Sequence, residues 1–315
     1  MPEKKFDFAM GGQALVEGVM IRSPHYISAA VRKKDGSIAV KKERFRSLIE
    51  RIRILKLPIL RGVVNLFEML AYGMKMLDYS IQVSFAEEGE EMPAPPSKTI
   101  HKVLAVAGFI LNILISFGLA ILIFKLLPLF LTTQLEKLIP ALAKHYILFN
   151  AMDGIIRILL FFGYIFVLRI FPSIARVFQY HGAEHQAVFV YEKGLELTCE
   201  NVAKESPRHP RCGTSFIMIV LIISIIIFTF VPRDPDFWMN FLKRISVLPL
   251  IAGVGYEILK WSGKHRDNAF VHVLSLPGLA TQYITTQKPD QDQIEIAIAA
   301  VNAALEAEIA HSKSN

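Results

Sequence analysis

Two stretches constrain this chain more than anything else in it. Val103–Phe124 and Thr214–Val231 contain no charged residue, and each is long enough to cross a bilayer as a helix. A helix satisfies its own backbone N–H and C=O groups, which hydrocarbon cannot do. Tyr146–Phe171 is also long enough, although it carries Asp153 and Arg157. Ile245–Trp261 is shorter and holds Glu257 and Lys260 at its far end. The expectation is about four transmembrane helices in a mainly α, polytopic membrane protein.

The rest of the chain is too polar to lie in lipid. Overall it is 53% hydrophobic and 20% charged, with mean hydropathy +0.40. Basic residues are unevenly spread, and seventeen of the 35 Lys+Arg fall in residues 1–102. The 131–145 loop has only Lys137 and Lys144. The positive-inside rule therefore puts both termini and the 172–214 loop in the cytoplasm. Anionic lipid headgroups account for the net charge of +7, so no nucleic-acid partner is called for. Cys199 and Cys212 fall on the cytoplasmic side, where a disulfide is not expected.

Residues 1–50 predict a small cytoplasmic β element. Lys34-Asp35-Gly36 lies between two β-prone runs, which is a hairpin signal. Upstream, Gly11, Gly12 and Gly18 surround Glu17, and they read as turns or as sites of close backbone approach. Residues 51–85 hold an apolar helix interrupted by Arg61, Asn65, Glu68 and Lys75, which suits an interfacial or re-entrant position. Residues 86–100 are acidic and proline-rich and read as a linker. The transmembrane domain occupies 101–270. Residues 271–315 form a cytoplasmic tail, with a helix after Pro289 whose apolar face carries Ile294, Ile298, Val301 and Leu305. Within the second span, Asp153 and Arg157 are one turn apart and can pair.

Chemistry concentrates around His181-x-x-Glu184-His185. A helix starting at Pro172 puts Ile174, Val177, Phe178, His181, His185, Val188 and Phe189 on one face. Two histidines on an apolar face need partners, and a shared metal satisfies both; bonds to backbone or carboxylates are the alternative. The string also fits the inverted zinc-protease signature, in which the glutamate is the general base. His209-x-x-Cys212 is a second ligand-like spacing, at the other end of the same loop, and Arg211 beside Cys212 favours thiolate. Glu257 is the third candidate, because inverted zinc proteases take a further ligand from a downstream glutamate. His265, Asp267 and His272 are candidates for supporting roles.

The chain resembles the YqhQ-like bacterial membrane proteins over nearly its whole length. The resemblance rests on Gly11-Gly-Gln-Ala-Leu-Val-Glu-Gly-Val-Met, Leu60-Arg-Gly-Val-Val, Tyr180-His-Gly-Ala-Glu-His, His209-Pro-Arg-Cys-Gly-Thr-Ser-Phe and Gly255-Tyr-Glu-Ile. Pro277-Gly-Leu, Thr285-Thr and Asp292-Gln-Ile-Glu add to it. It implies a multi-pass bacterial plasma-membrane protein with a metal site and no established reaction.

These readings give two expectations. One is a membrane-embedded hydrolase dependent on zinc or another divalent metal, peptidase-like by its motif, with its site at the cytoplasmic face. His181 and His185 are its ligands, Glu257 or His209 with Cys212 complete the shell, and Glu184 is the base. The other is a non-enzymatic assembly or scaffold protein whose metal closes a structural His/Cys site and whose N-terminal region docks a protein partner in the membrane.

Overall fold

A computed structural model describes residues 8, 10–86, 99–210, 212–232, 234, 236–265 and 268–314; within its helices, no side chain is described for 99–106, 109, 263, 264, 272 and 274. The 86–100 linker thus lies almost wholly outside the described residues. Four antiparallel strands open the fold as a meander: β1 (Gly11–Leu15), β2 (Gly18–Arg22), β3 (Tyr26–Arg32) and β4 (Ile38–Arg44). The Asp35-Gly36 hairpin joins β3 to β4, with Gly36 at φ 81. The glycine-rich stretch is the β1–β2 hairpin, with Glu17 at its turn at φ 50. It is therefore mostly strand, where turns were the simpler expectation.

Helices follow as α1 (Leu48–Arg51), α2 (Leu60–Phe85), α3 (Thr99–Ile121), a π-helical segment (Leu122–Leu126), α4 (Leu127–Leu138), α5 (Pro140–Lys144), α6 (Tyr146–Ile170), α7 (Pro172–Glu192), α8 (Cys199–Lys204), α9 (Gly213–Thr229), α10 (Phe237–Ser246), α11 (Leu248–Lys264), α12 (Ala269–Thr285) and α13 (Gln291–Ser314). Among the described residues, three stretches are long and apolar enough to cross a membrane: Ile110–Leu138, Tyr146–Ile170 and Phe237–Ser262. Gly213–Thr229 is apolar but shorter. The first helical stretch runs on past Phe124 to Leu138: Lys125 reaches over the Phe228 ring, 5.3 Å from its centroid, and the π-helical turn ends just before Pro128, which has no N–H to give to the ladder. Residues 269–285, expected in part as tail, instead form α12, which packs on α9 with Pro277 inside it.

The sheet is covered on both faces. Val19, Ile21 and Ala30 pack with Tyr180, Ala183 and Ala187 of α7 and with Ala297, Ala300, Val301 and Ala304 of α13. Leu15, Met20, Ile27, Ala29 and Val31 pack with Met76, Tyr79 and Val83 of α2. Strand alternation sends successive side chains to opposite layers, so β2 and β3 are apolar on both faces. The alanines of α13 let it approach closely enough for Ser28 Oγ to donate to the Ala300 carbonyl at 2.8 Å.

In the helical bundle, α9 packs against α6, α11 and α12. Small residues stand at the crossings: Gly154 against Ile225, Gly255 against Val220, and Gly278 against Ser215. Asp153 Oδ2 accepts from Arg157 Nη2 at 2.6 Å and from Arg244 Nη1, while Arg244 Nη2 donates to Asn150 Oδ1 at 2.7 Å. The expected Asp153–Arg157 pair is thus part of a buried network facing the bundle. Outward-facing Ile110, Leu114, Phe117, Leu159 and Phe166 are exposed, as a lipid-facing surface requires.

Candidate metal centre

Helix α7 begins at Pro172 and carries both histidines into the seam between the sheet layer and the bundle. Gly182, which weakens an isolated helix, has a packing role here. A Cβ on it would collide with the Gln287 carbonyl just after α12, whose own N–H donates to Phe178 O at 2.9 Å. That close passage brings the end of α12 to His181.

Each histidine is held by one ring nitrogen. His181 Nδ1 lies 2.8 Å from Thr285 O, and His185 Nδ1 lies 2.7 Å from Pro207 O. A carbonyl can only accept, so both Nδ1 atoms carry hydrogen and both Nε2 atoms present lone pairs when the rings are neutral. The third donor is Cys212, whose Sγ is 3.1 Å from His181 Nε2. Ligand atoms of His181, His185 and Cys212 all lie within 4.8 Å of one another. On a tetrahedral zinc such atoms stand roughly 3.3–3.8 Å apart, from bond lengths of about 2.0–2.3 Å, so the three would have to draw together by up to about 1 Å to share one ion.

Cys212 is the N-cap of α9, and its sulfur accepts from Thr214 N at 3.4 Å. The positive end of the helix favours the thiolate. Burial opposes charge on both partners, yet the adjacent sulfur raises His181 to about 9. Burial likewise pushes the Cys212 thiol up, but His181 and His185 outweigh it and hold the thiol well below its ordinary range. The thiolate is the ligating form.

Glu184 stands beside this trio. Its Oε2 is 3.6 Å from His185 Nε2, and its chain lies against Gly12 of β1. A Cβ at Gly12 would fall 2.7 Å from Glu184 Cγ and 2.5 Å from Met20 O. Glu184, His185, His209 and Cys212 line one cavity of about 450 Å³, together with Gly11, Gly12, Arg22 and Ser23 of the sheet layer, Met69 of α2 and Leu259 of α11.

The remaining candidates are not grouped with the trio, although the His209 ring centroid lies 5.8 Å from that of His185. Glu257 turns toward α2, where its carboxylate receives both Nε (2.6 Å) and Nη2 of Arg61. A bidentate guanidinium is a strong partner, and it takes the place that a metal would need. His209 lines the cavity, but its Nε2 is 3.5 Å from Glu192 Oε2 and its backbone is tied to the Gln282 side chain in both directions. His265 stacks on Trp261, with ring centroids 5.0 Å apart, at an exposed helix end. Arg211, Asp267 and the His272 side chain lie outside the described residues. The reading of single motifs did not single out Arg22, nor the carbonyls of Pro207 and Thr285. For Thr285 the Thr285-Thr string was a signal without an assigned role.

Glu17, central to the glycine-rich stretch, serves assembly. It pairs with Arg176 of α7 and accepts from the Tyr180 hydroxyl at 3.0 Å. Burial raises its pKa, but these partners outweigh that and keep it below the usual carboxylate value.

A family profile described as protein of unknown function DUF1385 matches residues 57–307. The chain is 35% identical over 314 residues to a Bacillus subtilis (strain 168) protein described as uncharacterized protein YqhQ, covering 98% of this chain and 96% of that one. No solved structure matches.

Proposed function

The chain belongs to the DUF1385 family, and for this polytopic membrane protein we propose a metal-dependent hydrolase, using zinc or another divalent ion, with its site at the cytoplasmic face of the bacterial plasma membrane and both termini cytoplasmic. One observation carries the reading. Two histidines anchored through Nδ1 turn their Nε2 atoms, with a thiolate-prone cysteine, to one point beside a buried glutamate and a cavity. Three protein donors leave a fourth position open, as in catalytic zinc sites.

Zinc held there would supply Lewis acidity and lower the pKa of water to about 7. The chain supplies Glu184, placed to hold the proton that the water releases, and carbonyl anchors that fix both imidazole tautomers. Peptide bonds are the substrate class nearest to the His-x-x-Glu-His arrangement, by analogy with the motif alone.

Elemental mass spectrometry on detergent-purified protein tests the site. About one ion per chain is expected in wild type, retained in Glu257→Ala, His209→Ala and Glu184→Gln and lost in His181→Ala, His185→Ala and Cys212→Ala. An ion-free wild type sinks the reading. Loss of the ion in His209→Ala, with no effect of Glu184→Gln on any hydrolysis, would favour the closed structural site of a membrane scaffold.

The His181–Cys212 contact favours a second reading, a metal-free thiolate nucleophile with His181 as its base. Rapid, stoichiometric alkylation of Cys212 at neutral pH in protein as purified would support it. Protection of Cys212 that chelators relieve would support the metal.

A further inference from the structure

The cavity has a wall that metal binding does not use. Arg22 ends β2 on the face turned toward α2, and its guanidinium lies 4.3 Å from the centroid of Phe45. Among the described residues, no carboxylate forms an ion pair with it. Nearby acids are committed elsewhere. Glu68 accepts from Ser47 Oγ at 2.8 Å and from Leu48 N at 2.6 Å. Glu257 holds Arg61, and Glu184 sits between Gly12 and His185. Ser23, the next residue along the wall, donates to Glu308 at 2.6 Å.

Apart from Arg208, which lies over the Tyr283 ring at 4.0 Å from its centroid, the covered arginines elsewhere among the described residues meet an acid: Arg32 with Glu295, Arg61 with Glu257, Arg157 and Arg244 with Asp153, and Arg176 with Glu17. Arg22 has instead an aromatic ring behind it and a cavity in front. Burial lowers its pKa, opposed by Tyr256 and Glu68, so its charge carries a desolvation cost without a bonded anion. A planar guanidinium fixed on a ring presents its fork to an anion in a bidentate geometry.

We propose that Arg22 is the anion-recognising residue of this cavity, so that its ligand is a small molecule carrying a carboxylate or a phosphate. The volume of about 450 Å³ falls in the range of small-molecule sites. Resting on the hydrolase reading, this places the anionic group at Arg22 and the reacting bond beside His181, His185 and Cys212. The site then selects substrates by charge as well as by the bond cleaved.

The test uses full-length protein in detergent, with metal content recorded for every sample. Binding of acetate, succinate, inorganic phosphate and pyrophosphate is followed by calorimetry and by the shift in melting temperature. Wild type should bind one of the two classes, and preference for the carboxylates or for the phosphates assigns the group. Arg22→Gln should weaken that binding at least tenfold with unchanged metal content. Arg22→Lys, which keeps charge but loses the fork, should fall between. Arg22→Met, which preserves packing on Phe45, should match Arg22→Gln and report folding through its ligand-free melting temperature. Equal affinity in wild type and in folded Arg22→Gln or Arg22→Met would overturn the proposal, as would a wild type that binds none of the four anions. Arg22-dependent binding by a wild type devoid of metal would uphold the anion site and discard the metal reading.

Discussion

At the scale of residues, the candidate site depends on what is absent as much as on what is present. Gly12 has no side chain where Glu184 and the Met20 carbonyl stand. Gly12→Ala should displace Glu184, lower stability by roughly 1–3 kcal/mol through overpacking, and reduce any hydrolysis much more than metal content. A variant with wild-type melting temperature and turnover would refute that role. Glu308 gives a pH-dependent case. Burial raises its pKa, but Ser23 and His25 outweigh burial and hold the carboxyl below its ordinary 4.5. A carboxylate whose folded pKa is depressed stabilises fully above the unfolded value and loses that contribution as pH falls through the folded one. Wild type should therefore exceed Glu308→Gln in melting temperature above about pH 5, by an amount equivalent to roughly 1–3 kcal/mol. The gap should close as pH is lowered well below 4.5, which a melting series from about pH 7 to about pH 3 checks.

Among the elements, the helices of the bundle are joined by one carboxylate. Asp153 of α6 receives Arg157 of the same helix and Arg244 of α10, and Asn150 ties the group to the Phe228 carbonyl of α9 at 2.6 Å. Asp153 is the only acid of this network among the described residues, and removing it leaves two buried guanidinium groups without that counter-charge, a change that costs about 3–5 kcal/mol. Asp153→Asn should accordingly lower the melting temperature in detergent far more than Arg157→Gln, after which Arg244 still pairs with Asp153. The reverse order would show that the network does not work through charge compensation.

Across the whole molecule, the site lies where two layers meet. The sheet with α2 and α13 supplies Gly12 and Arg22, the bundle supplies Cys212, and α7 runs between them with His181, Glu184 and His185. Helix α13 is distant from the trio, yet it buries the side of β2 and β3 that also contacts α7. A chain ending at Pro289 would expose Val19, Ile21, Ala30, Tyr180 and Ala187 together. Limited proteolysis should then cleave within residues 10–44 and metal content should fall, although every donor is still present. A truncated chain with an intact protease-resistant sheet would show that α13 is dispensable.

Much of this was local in origin and hence readable from the chain. The 3.6-residue spacing put His181 and His185 on one helical face. The Asp35-Gly36 pair marked its hairpin, and the apolar runs marked the helices of a membrane protein. Such features depend on neighbours a few positions away. Which distant groups stand beside the histidines depends on docking. Cys212 is 31 residues from His181 and Glu257 is 76, and spacing cannot rank the two. Tertiary packing ranked them: the turn before α9 presents the Cys212 sulfur to the histidines, whereas Arg61, from a helix almost two hundred residues earlier, draws Glu257 away. Helix α12 was missed for a related reason. Its Pro277 argues locally for a break, but packing against α9, with Gly278 against Ser215, keeps it helical. The sequence by itself determined the elements and the chemistry they carry, and only the tertiary structure decided which of those groups meet, because the energies that choose partners come from contacts far apart in the chain.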